Sequence, residues 1–125
     1  MPNARVLSAA VHIPELGDLV LGGLNLGESL RSAVILRTEQ VEGGIVQVWD
    51  EIQPMIEQKI DPLAAYFEGV VYVKGFLCNT EILPISPGFV GQWTLIMFDS
   101  LPTQWRPISM CQYESQLFLC GRSYT

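Results

Sequence analysis

The sequence predicts an all-β fold, a partial propeller built from four-stranded antiparallel blades. Three observations predict it. Apolar and polar residues alternate over short runs bounded by turn residues, the pattern of half-buried strands. A helical pattern is nearly absent: the best candidate, 48–59, carries Pro54 in its middle and reads as a strand end entering a loop. Finally, a block of strand, turn, strand, glycine, strand, Trp and Pro recurs about every 45 residues, from 9 to 54, from 63 to 102 and from 108 onward. A period of that length holding several short strands suits propeller blades rather than helical solenoids.

The elements follow in order. The first block opens with a strand at Ala9–Ile13, a turn over 14–18 and a second strand at 19–21 that runs into Gly22-Gly23. A third strand is expected at 32–38 and a fourth at 45–49, separated by an insertion over 39–44. In the second block, Leu63–Phe67 and 70–73 flank Glu68-Gly69. Gly69 can supply the positive φ that a tight turn requires, and both flanks are rich in β-branched and aromatic residues. Thr80–Ser86 and 92–98 supply the third and fourth strands. In the last block, 108–113 and 116–120 flank Glu114-Ser115. The units are thus a first blade over about 6–56, a second over about 59–104 and the opening of a third over 105–125.

Composition bounds the function. At 125 residues, 49% hydrophobic and 16% charged, the chain is long and apolar enough to bury a core. A net charge of −6, with seven Lys and Arg scattered along the sequence, argues against nucleic acid or an anionic membrane as partner. No run nears the roughly 18 apolar residues of a membrane span, and His12 and Pro14 interrupt the N-terminal stretch before it could form a signal-peptide core. Cys78, Cys111 and Cys120 lack metal-site spacing and read as small buried hydrophobes of a reduced, cytoplasmic protein. His12 stands alone between Val11 and Ile13 and reads as packing rather than as a general base. No catalytic residue, metal site or cofactor is expected.

Gly at the end of a second strand permits a sharp turn and the close approach of a neighbour, and Trp offers a large apolar plate whose N–H seeks a carbonyl. Gly22, Gly23, Gly75, Gly121, Trp49 and Trp93 are therefore assigned to architecture. Gly22-Gly23 leads into neither a Gly-x-Gly-x-x-Gly pattern nor a Lys-Ser/Thr pair, which sets a phosphate-cradling loop aside.

At this point the chain resembles the kelch-repeat family. Leu19-Val20-Leu21-Gly22-Gly23 carries the family's glycine doublet. Val71-Tyr72-Val73-Lys74-Gly75 and Leu117-Phe118-Leu119-Cys120-Gly121 each keep one Gly with the aromatic in place, and Trp49 and Trp93 match the fourth-strand Trp. Arg106 matches the Arg that leads into the next blade. Two of the doublets are broken, and Leu83-Pro84-Ile85 stands where a third-strand Tyr belongs. Some kelch propellers are copper oxidases, but such a site draws on several His and this chain has one.

The resemblance implies a non-enzymatic protein-interaction module, a segment of about two and a half blades. Its partner-binding residues would sit on loops after the second strands and between blades: Asn25, Ser29, Arg31, Phe76, Asn79, Arg106, Arg122 and Tyr124. It further implies a substrate adaptor of a cullin-based ubiquitin ligase where a BTB-type domain accompanies the propeller, or an actin-binding role. An open ring would self-associate through its exposed blade faces. The competing reading is a self-contained β-sandwich or barrel that binds a small ligand.

Overall fold

Antiparallel strands that pair with their neighbours along the chain form a meander, and the first sheet does so, with one longer connection between its second and third strands. In the computed structural model, which describes the backbone of residues 4–75, 79–96 and 105–123 and all of their side chains except those of 105–108 and 122–123, the protein is all-β. No helix occurs among the described residues, so none there is long and apolar enough to cross a membrane.

The first sheet joins β1 (Ala9–Ile13), β2 (Gly17–Leu21), β5 (Ala33–Val41) and β6 (Gly44–Ile52) in the antiparallel order β1-β2-β5-β6. Between β2 and β5 the chain makes a small separate hairpin, β3 (Leu24–Asn25) with β4 (Glu28–Ser29). The second sheet joins β7 (Leu63–Phe67), β8 (Val70–Lys74) and β9 (Thr80–Ser86), with β10 (Phe89–Val90) and β11 (Thr94–Ile96) both pairing with β9. A separate two-stranded sheet pairs β12 (Trp105–Tyr113) with β13 (Gln116–Ser123). The leading strands lie side by side, β1 next to β7 and β7 next to β12.

The core follows from strand alternation. Leu19, Leu21, Ala33 and Ile35 share one face of the first sheet, and Val71, Val73 and Leu83 share one face of the second. These faces pack together with Ile13, Met55 and Trp93 in a single cluster. At about 25 cal/mol per Å² of apolar surface removed from water, this inter-sheet layer is the main source of stability.

Several expectations are corrected here. The first turn is shorter than 14–18, because β2 already begins at Gly17. The insertion over 39–44 is no loop: it completes the β5–β6 ladder through Val41 opposite Gly44, around the turn Glu42-Gly43. Of the fourth strand expected over 92–98, the described part is β11 at Thr94–Ile96; pairing with β9 also begins earlier than expected, at β10, and 97–98 lie outside the described residues. His12 does not pack inside. Val11 and Ile13 take the inward positions of β1, so His12 points to solvent and its Nδ1 meets Asp18 Oδ1 on β2 at 2.8 Å. Cys111 and Cys120 are exposed free thiols on the outer face of the β12–β13 hairpin, while Cys78 lies outside the described residues. Trp49 is only half-buried, because it sits opposite Leu36, one residue out of phase with Ile35, and so occupies the face turned away from the core.

Candidate functional site

In a meander every second connection falls at the same end. The β2–β5 connection, the segment 53–62 that joins the two sheets and the described ends of the β8–β9 connection, Gly75 and Asn79, therefore gather at one end, which holds the expected residues Asn25, Ser29, Arg31 and Asn79. Ser29, at the end of β4, donates its hydroxyl to Gln58 Oε1 at 2.6 Å. Arg31 is exposed, and its Nη1 reaches the Met55 carbonyl at 3.5 Å. Asn25 is half-buried in the small hairpin, and the Asn79 backbone N–H donates to Glu57 Oε1 at 3.0 Å. Ser29, Arg31 and Asn79 are thus brought together around the joining segment.

The other expected residues fall elsewhere. Arg106 and Arg122 are not on loops: they lie within β12 and β13 as direct cross-strand partners, and their side chains are outside the described residues. Phe76 and Tyr124 also lie outside the described residues. Tyr72 serves the fold, its ring centroid 6.5 Å from that of Phe67. Gly121 sits inside β13 opposite Pro107, beside the register shift between Pro107 and Ser109, rather than ending a strand.

What ties this end together is a buried charge that the sequence reading missed. Lys59, 1% exposed, forms a salt bridge with Glu81, 0% exposed, on the inward face of β9. The Glu81 carboxylate also accepts the backbone N–H of Ile56 at 2.6 Å and that of Glu57 at 2.9 Å. A buried carboxylate requires such partners, since an unpaired one costs several kcal/mol. One side chain of the second sheet therefore fastens the joining segment at three points. Trp93 adds a fourth, donating its indole N–H to the Gln53 carbonyl at 2.8 Å. On the other flank the segment is held by the β2–β5 connection: the Gly23 N–H donates to the Lys59 carbonyl at 2.7 Å and the Lys59 N–H to the Leu30 carbonyl at 3.0 Å.

This clasp explains two of the motif glycines, Gly22 and Gly75. Gly22 has φ +64, and a Cβ there would stand 2.7 Å from the Lys59 carbonyl oxygen. A Cβ on Gly75 would stand 3.1 Å from Lys59 Cγ and 3.3 Å from its Cβ. The glycines thus clear a passage for Lys59 between the two sheets. Because the Lys59 stem is buried and has little room to yield, Gly75→Ala is expected to lower stability by about 1–3 kcal/mol in chemical denaturation. An unchanged midpoint would show that the passage is not tight.

Arg5 closes the same end, its Nη1 donating to the carbonyls of Gly22 at 3.2 Å and Ser32 at 3.3 Å. Burial pushes its guanidinium below the usual arginine range, and the nearby Glu51 pulls it partly back. At the opposite end a cleft of about 280 Å³ opens between the sheets, lined by Pro14, Leu16, Tyr66, Ile85 and Pro87. His12 and Asp18 line an adjoining cleft of about 320 Å³. Among the described residues no group of three or more His, Cys, Asp or Glu side chains is placed to hold a metal ion. Comparison with known proteins finds no family that matches this chain and no curated relative.

Proposed function

We propose that the chain is a protein-interaction module of kelch type, a propeller segment that binds a partner through its loop end. The observation that carries this reading is the clasped loop end itself. Exposed Arg31, with Ser29, Asn25 and Asn79, stands on backbone that a buried ion pair and two further hydrogen-bonded donors hold in place, and pre-organised loops on a rigid scaffold suit recognition. The side-by-side leading strands β1, β7 and β12 and the glycines beside Lys59 support the propeller part of the reading. Within a longer protein bearing a BTB-type domain, such a module would select substrates for a ubiquitin ligase; an actin-binding role is the alternative partner class.

A second reading, a small β-sandwich that takes a small ligand, is favoured by the face-to-face packing of the first two sheets and the cleft at Leu16 and Tyr66. A peptide selected on the wild-type chain from a displayed library separates the two. Arg31→Ala is expected to weaken its binding by about 1–3 kcal/mol with an unchanged melting temperature. Unchanged affinity in Arg31→Ala and Asn25→Ala, together with loss in Tyr66→Ala, would move the site to the opposite cleft.

A further inference from the structure

β6 is the outer strand of the first sheet, and among the described residues no strand pairs with its free side. It runs for 9 residues, whereas β10 and β11 of the second sheet span 2 and 3. Short edge strands blunt unwanted pairing, while a long one presents a row of unpaired backbone N–H and C=O groups. The β2–β5 ladder ends at Asp18 opposite Leu36, so the outer half of the β5–β6 hairpin stands clear of the rest of its sheet.

The residues on this edge point to its occupant. Positions 44–49, Gly-Ile-Val-Gln-Val-Trp, contain no charge and no proline and are rich in β-branched side chains. Ile45 is 67% exposed and Val46 42%. The charges then select a direction. In a parallel, in-register pairing with an identical strand, Glu51 would face its own copy and repel, and so would Asp50 to the extent that its ion pair with Arg37 leaves its charge uncompensated. In an antiparallel pairing centred on Gln47, Asp50 falls opposite the partner's Gly44 and Glu51 opposite the partner's Gly43. Val46 falls opposite the partner's Val48, and Ile45 opposite the partner's Trp49. Apolar residues meet apolar ones, an aromatic meets a β-branched residue, and each acidic side chain faces a glycine.

We propose that β6 pairs with β6 of a second copy of this chain, antiparallel and centred on Gln47, joining the two first sheets into one continuous sheet. The contact is self-complementary, as a two-fold dimer requires. It is independent of the loop-end reading and uses none of its residues.

The test is light scattering coupled to size exclusion over a concentration series, under reducing conditions so that Cys111 and Cys120 form no bridges. The wild-type mass is expected to rise toward twice the chain's 13.9 kDa. Gln47→Lys and Gln47→Glu each place like charges face to face across the two-fold axis. Each is expected to remain at the monomer mass while keeping the wild-type circular dichroism spectrum, because Gln47 is exposed, and to lose the concentration dependence of melting that a dimer shows. An equimolar mixture of the two variants is expected to recover the dimer through a Lys–Glu pair. A wild-type chain that stays monomeric, a dimer that both variants retain, or a mixture that stays monomeric would each overturn the proposal.

Discussion

Replacing Glu81 with Ala is expected to lower the stability of the protein by at least about 3–5 kcal/mol, a large fraction of what a domain of this size possesses. The variant leaves the Lys59 ammonium buried with, among the described residues, only the Glu57 carbonyl at 3.4 Å, and it strips acceptors from the N–H groups of Ile56 and Glu57. Lys59→Met should cost less, because the carboxylate then keeps its two backbone donors and the thioether follows the path of the lysine stem. Removing both charges in Lys59→Met/Glu81→Leu should recover only part of the loss, since the two N–H groups remain orphaned at about 1–3 kcal/mol each. Urea denaturation followed by circular dichroism gives all three values. If Glu81→Ala unfolds within about 0.5 kcal/mol of wild type, the clasp contributes nothing to stability.

Trp93→Ala is expected to cost about 3–5 kcal/mol, because it empties a large volume between the two sheets and frees the Gln53 carbonyl. Trp93→Phe keeps most of the plate and should lose about 1–2 kcal/mol with the hydrogen bond. The informative control is Trp49→Ala. The repeat places the two tryptophans in equivalent positions, but Trp49 is half-buried on the outward face of β6. Its loss should therefore be well under half that of Trp93→Ala in the same melts, and equal losses would mean that both rings are core.

Strand alternation and turn chemistry were legible in the sequence, and they recovered β1, β7 and β9 with the bounds the structure has. The tight turn at Glu68-Gly69 takes positive φ at both residues, 49 and 81, as a two-residue hairpin of primed type requires. What the sequence hid depends on contacts far along the chain. Lys59, in Gln-Lys-Ile-Asp-Pro, has every local feature of a solvated loop residue, and its partner lies 22 positions away. One signal was present: Glu81 occupies the inward phase of β9 with Leu83 and Ile85, where a carboxylate needs a cation. His12 was legible by the same rule, since its neighbours Val11 and Ile13 hold the inward phase. The arginines of β12 and β13 were misplaced because strand ends extended through residues that read as turns.

The clasp also sets an order of events during synthesis. The first sheet closes through contacts between neighbouring strands, so it can form as soon as β6 leaves the ribosome. The segment 53–62 cannot settle then. Its acceptor at Glu81 emerges 22 residues after Lys59, and the indole that holds Gln53 emerges 40 residues after it. Until that moment the inner face with Leu19, Leu21 and Ile35 lacks the second sheet that covers it. Because these contacts close late, their removal should act chiefly on the unfolding rate, making the clasp a source of kinetic persistence rather than of folding speed.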